Sequence, residues 1–199
     1  WPSKFQLLFW PRTTARFLYF CKHCHLTAYM GDFQKIPEDK QAEIKKAIAP
    51  LIKKQPDKRY YEVPMDYRLE ISQAVYQQLD KNDEFWCNFY RIKGYHLAKA
   101  GKAELAKTAR LKAQAVAEKM LAAKIENPPK KELTLIVGSM QYFTGQKDKA
   151  LATLAKVAKT PIPISKSMPA EQAKNTATYL DELAAEFVKL VKAGKKVPE

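Results

Sequence analysis

From Pro37 onward, apolar positions recur at helical spacing along the chain. The stretch "PEDKQAEIKKAIAPLIKK" (37–54) sets Ile44, Ile48 and Leu51 on one face, with Pro37 suited to a first turn and Pro50 to a kink or stop. "QPDKRYYEVP" (55–64) reads as a loop. Residues 65–80 return to helical spacing through Leu69, Ala74, Val75 and Leu79. Residues 84–100 and 103–124 predict a hairpin turning at Gly101, and 131–144 with 147–159 a second one turning at Gly145. A proline-rich connector, "TPIPISKSMP" (160–169), leads to a last helix over 170–193. Its stripe is Leu180, Leu183, Ala184, Phe187, Leu190 and Val191, and Gly194 is its stop. Ahead of the helices the pattern changes. "ARFLYF" (15–20) and "LTAYM" (26–30) read as short strands, and Gly31-Asp32 breaks the second. The predicted fold class is mainly α: antiparallel helical hairpins with a small N-terminal strand element. Residues 1–36 form one segment and 37–199 a helical domain, with repeat units at about 84–124 and 131–161 and flanking helices at 37–80 and 170–193.

The two hairpins repeat one another. Gly94, Gly101 and Ala106 recur as Gly138, Gly145 and Ala150, each pair 44 residues apart. Small residues at these points let two helices approach, end the first helix, and admit it against the second. The pattern resembles the tetratricopeptide repeat (TPR), with Leu154, Val157 and Pro161 fitting its later positions. Lys93 and Arg110 stand where that family has apolar residues, and the second helix of the first unit is longer than usual. The resemblance implies a concave surface made by the first helices of successive hairpins. Asn88, Arg91, Tyr95 and Lys99 would line it from one unit, and Leu135, Ser139 and Tyr142 from the other.

Charge narrows the partner. Lys+Arg number 35 against 21 Asp+Glu, a net +14, and most lysines fall at spacings that suit exposed helix faces. No apolar run is long enough to cross a bilayer. The expected localisation is therefore cytoplasmic, or periplasmic if an upstream signal has been removed. The opening "WPSKFQLLFWP" is aromatic enough to predict packing against another surface, upstream chain being one candidate.

"FCKHCHLTAYMGDF" (20–33) holds Cys21 and Cys24, two of three cysteines, with His23 and His25 beside them; Cys87 reads as a buried small residue. Cys-x-x-Cys on a turn presents two thiolates to one metal, and zinc needs four ligands, so Cys21, Cys24, His23 and His25 are the candidate zinc ligands. Cys-x-x-Cys-His is also the string that attaches a c-type haem, with His25 as axial ligand, and a monohaem electron carrier is the alternative reading. A redox dithiol is a third, although no thioredoxin-like alternation of strands and helices surrounds the pair. Residues 16–46 resemble a bacterial family of unknown biochemical function whose members join a split zinc-ribbon-like region to TPR-like helices. Cys21, Cys24, Ala28, Asp32 and Phe33 match by position, whereas Lys22 replaces the usual proline and His25 the usual glycine. That resemblance implies a structural zinc knuckle, completed in the family by a further cysteine pair upstream.

No Gly-rich phosphate loop, His-Glu-x-x-His or Gly-x-Ser-x-Gly string occurs, and Glu38/Asp39 and Asp181/Glu182 read as solvated charge. The expectation is a non-enzymatic scaffold whose partner is a protein: an acidic peptide or a subunit of a larger assembly. The Lys-rich helix 102–124 carries no interleaved aromatic, which disfavours nucleic acid.

Overall fold

Three of the helices give way to a glycine with positive φ, at Gly101, Gly145 and Gly194, and the first two of these turns set the hairpins. The computed structural model describes residues 2–55, 59–123, 127–166 and 168–194. A single helical turn, α1 (Pro2–Phe5), is followed by strands β1 (Leu18–Phe20) and β2 (Thr27–Tyr29). Then come α2 (Gln41–Ile48), α3 (Met65–Tyr76), α4 (Asp83–Lys99), α5 (Ala103–Ala122), α6 (Lys130–Phe143), α7 (Lys147–Leu154) and α8 (Ala170–Lys192). The fold is mainly α, with packed helical hairpins and an N-terminal β-hairpin. The strands pair antiparallel, Leu18 opposite Tyr29 and Phe20 opposite Thr27.

Two helices are shorter than their apolar periodicity suggests. The helix expected over 37–54 is regular only across α2, with tight three-residue turns at Glu38–Lys40 and Ala49–Leu51; Pro50, without an N–H, falls in the second. The helix expected over 147–159 stops at Leu154, after which the Lys156 and Val157 N–H groups bond carbonyls only three residues back.

The internal repeat is a repeat in space. An ideal Cβ on Gly94 would lie 2.7 Å from Arg110 Cγ, and one on Gly138 would lie 2.8 Å from Leu154 Cγ. Each glycine thus meets the residue 16 positions later, in the same register. Gly101 and Gly145 turn the chain with φ of +74° and +87°, a region that favours glycine. The bonds around them match: Lys102 N–H to Leu97 O at 2.9 Å in one unit, Gln146 N–H to Gln141 O at 2.8 Å in the other. Ala106 and Ala150, buried, complete the pattern.

Four apolar clusters are present among the described residues, and two of them draw on both the β-hairpin region and the helices. Phe17, Leu18 and Ala28 pack with Leu69, Tyr76, Phe89 and Ile92, while Phe20 joins α2 and α3 through Ile44, Ile48 and Ile71. The largest unites α4–α8 with Phe5 and Leu7 from the N-terminal segment. Arg68 on α3, wholly buried, ties the strands down. Its guanidinium donates to the carbonyls of Val63, Ala15 and Leu18 at 3.0, 2.8 and 2.7 Å, and burial lowers its pKa to about 10. Lys131 on α6 is also buried and pairs with Asp181 on α8 at 2.7 Å, so Asp181 is a structural partner, not the solvated charge its neighbours suggest.

Candidate functional site

The concave face expected to bind a partner is filled by the chain's own N-terminal segment. Residues 5–8 are buried, Gln6 completely. Arg91 on α4 donates from Nη1 to Gln6 O at 3.0 Å, and Ser139 on α6 donates its hydroxyl to Phe5 O. These contacts go to main-chain carbonyls, so the groove holds the segment by its backbone. Side chains then fix its position. The Phe5 ring stacks on Phe187 of α8 with centroids 4.7 Å apart, Lys4 pairs with Glu186 at 2.6 Å, and Arg110 donates from Nε to Gln6 Oε1 at 3.4 Å. Arg110 also lies 4.7 Å over the Phe143 ring, which explains a cation at a position usually apolar.

The seven residues expected on this face divide by depth. Arg91 and Ser139 touch the segment, Leu135 is wholly buried in the cluster that holds Phe5, and Tyr142 packs edge-on against Phe187 at 5.2 Å. Half-buried Asn88 accepts from Arg91 Nη2 at 3.5 Å, half-buried Tyr95 lies edge-on to His96 at 5.1 Å, and Lys99 is exposed. Burial lowers the Arg91 pKa, and it raises the carboxyl of nearby Glu132, which Arg91 partly offsets. Sequence reasoning missed Gln6, Arg110, Phe187 and His96 as groove residues. Their roles come from contact with a segment that has no periodicity.

His96 closes the groove. Its ring stacks on Phe17 at 5.3 Å, and its Nε2–H donates to Arg12 O at 2.8 Å. Burial lowers its pKa to about 4, the Arg12 carbonyl opposing this and Lys99 adding to it, so the ring is neutral at pH 7. At the mouth, two successive turns (Arg12 N–H to Phe9 O at 2.9 Å, Thr14 N–H to Pro11 O at 3.0 Å) present Phe9 and Trp10, 54% and 80% exposed.

The Cys-x-x-Cys turn does not become a metal site. Cys21 N–H bonds Leu26 O and His25 N–H bonds Cys21 O, both at 2.9 Å, closing the turn. His25, at φ +61°, aims inward: its Nδ1 meets Tyr67 Oη at 2.7 Å and its ring lies edge-on to Phe20. His23 is exposed. The expected zinc set of Cys21, Cys24, His23 and His25 is therefore corrected: among the described residues no group of three or more His, Cys, Asp or Glu is placed to hold a metal ion. The haem alternative would take His25 as axial iron ligand; Tyr67 Oη meets that ring at Nδ1, and Phe20 lies edge-on to it. Two free thiols remain on one turn, Cys21 half-buried and Cys24 exposed. Burial works against the Cys21 thiolate, but hydrogen bonds from the Cys24 and His23 N–H groups and the Cys24 thiol outweigh it and lower its pKa; burial and Cys21 raise that of Cys24.

On the opposite side of α4, a cleft of about 260 Å³ between α3, α4 and α5 gathers Lys53, Lys93, Lys102 and Lys112 with Asp66 and Glu70. Lys93 donates to Gln73 Oε1 at 2.7 Å, and burial lowers its pKa. Comparison of the chain with protein-family models, with curated proteins and with solved structures finds no match. No helix among the described residues is long and apolar enough to cross a membrane.

Proposed function

We propose that this protein is a non-enzymatic interaction or scaffold module of TPR-like design, related to the bacterial family its N-terminal region resembles, and that it docks an acidic protein partner. The observation that carries this reading is the groove itself: Arg91 and Ser139, on the first helices of successive hairpins, grip the main-chain carbonyls of Gln6 and Phe5 where the helical turn α1 ends. Holding a chain by its backbone is what an interaction groove does. Because residues 5–8 occupy the deep part, the surface left for a partner is the mouth, where exposed Phe9 and Trp10 adjoin Arg12 and Lys99. Aromatic and arginine side chains supply the strongest anchors at protein interfaces, and a net +14 favours an acidic counterpart. The test is a quantitative pull-down of native partners. Trp10→Ala with Arg12→Glu and Lys99→Glu should lose the main partner, and Lys107→Glu with Lys112→Glu on α5 should retain it. Loss through the α5 pair alone, with the mouth variant unaffected, overturns the reading and points to nonspecific anion binding, whose affinity collapses with salt.

A further inference from the structure

We propose that Cys21 and Cys24 are a reversible dithiol–disulfide pair, Cys21 attacking and Cys24 resolving, that exchanges with disulfides carried on apolar peptide segments. It acts once per reduction, as a thiol switch, and is independent of docking at the groove mouth.

Geometry carries the inference. The turn that holds both cysteines is closed at each end by a backbone hydrogen bond, Cys21 N–H to Leu26 O and His25 N–H to Cys21 O. Tyr67 anchors it further through His25. The His25 N–H to Cys21 O bond folds residues 21–25 into one closed turn that holds both cysteines, so a disulfide between them needs little rearrangement of the chain. The His23 and Cys24 amides of that turn favour the Cys21 thiolate against the effect of burial and lower its pKa. Cys87 differs: it is buried with its thiol 3.8 Å from Ala113 O, and burial raises its pKa in spite of the nearby Arg91 guanidinium. Cys24 is exposed and Cys21 half-buried, so a second molecule can reach the pair. Cys24 also lines a groove of about 380 Å³ walled by Leu26, Phe33, Ile36, Ile44 and Ile48. A cysteine-bearing peptide that meets Cys21 can lay a neighbouring apolar side chain there.

The exchange balances. The Cys21 thiolate attacks one sulfur of R–S–S–R′; a Cys21–S–S–R bond forms, and R′–S⁻ leaves and takes up the proton that Cys21 released. Cys24 then loses its proton and attacks the Cys21 sulfur. The Cys21–Cys24 bond forms and R–S⁻ departs as R–SH. Two thiols are oxidised and one disulfide is reduced.

The test uses the full chain in a chelating buffer, with glutathione disulfide and glutathione at graded ratios, then alkylation and peptide mapping. Oxidising ratios should remove two alkylatable thiols, both in the Cys21–Cys24 peptide, and leave Cys87 unchanged. Cys24→Ser should accumulate a glutathione adduct at Cys21, and Cys21→Ser much less adduct at Cys24. A disulfide of short leucine-flanked cysteine peptides should react roughly tenfold faster than glutathione disulfide, what partial burial of one leucine supplies. Ile36→Asp, at a half-buried position, should erase that advantage alone. Alkylation of both thiols at every ratio overturns the pair. Equal adducts in the two serine variants overturn the assigned roles, and equal rates for the two disulfides overturn the peptide preference.

Discussion

Arg91 donates to the carbonyl of Gln6 at 3.0 Å across a sequence separation of 85 residues. That bond joins the N-terminal segment to the first helix of the first hairpin, and it leaves the guanidinium buried without a carboxylate in ion-pair contact among the described residues. Arg91 here serves as a positioning donor for the backbone of residues 5–8. It is unavailable to an acidic ligand while that segment is in place.

Arg91→Ala should therefore destabilise the fold. It deletes a buried charged donor and leaves the Gln6 carbonyl without its partner, a loss of about 1–3 kcal/mol. Lysine at the same position keeps a charge but cannot reproduce the fork of donors, so Arg91→Lys should recover only part of the loss. Urea unfolding measures both, and amide exchange should rise first in residues 5–8. Unchanged stability in Arg91→Ala sinks the anchoring role.

Gly138 faces Leu154 with no room for a side chain. Gly138→Leu should overpack the α6–α7 crossing and cost about 1–3 kcal/mol. Gly94 faces the flexible stem of Arg110, with Ala106 O also 3.4 Å from the ideal Cβ, so Gly94→Ala should perturb the Arg110–Phe143 contact as well. Thermal melts of the two variants check this. A Gly138→Leu protein that melts with wild type contradicts the close crossing.

The repeat could be read from sequence because it rests on short-range rules. Gly101 and Gly145 must turn the chain, Gly94 and Gly138 must let a helix approach, and both demands leave glycines at fixed offsets. The strands at 18–20 and 27–29 were visible for a similar reason, as aromatic and β-branched runs beside a turn. The groove occupant was not visible. Residues 6–8 have neither helical nor alternating order, and the groups that hold them are carbonyls, which every residue carries. Lys131 looked like one more surface lysine because its partner Asp181 is 50 residues away. The metal expectation failed on orientation. Spacing sets His25 next to the thiols, but a left-handed backbone and Tyr67 Oη turn its ring inward.

Acid should loosen the N-terminal segment through His96. The ring is buried against Phe17, donates to Arg12 O, and has its pKa lowered by burial to about 4 from an ordinary 6.5. The unfolded chain binds a proton near pH 6.5, while the folded one resists until about pH 4. Stability from this group is thus complete above pH 6.5 and is lost as the pH falls toward 4, a change of about 3 kcal/mol at the acid end. Carboxylates titrate in the same range, so the comparison is with His96→Gln, which keeps a side-chain N–H for Arg12 O but does not titrate. Wild type should lose stability more steeply than the variant between pH 6.5 and 4, and exchange in residues 9–16 should rise in step. Parallel pH profiles for the two proteins would mean that the His96 ring does not hold the segment in its neutral form.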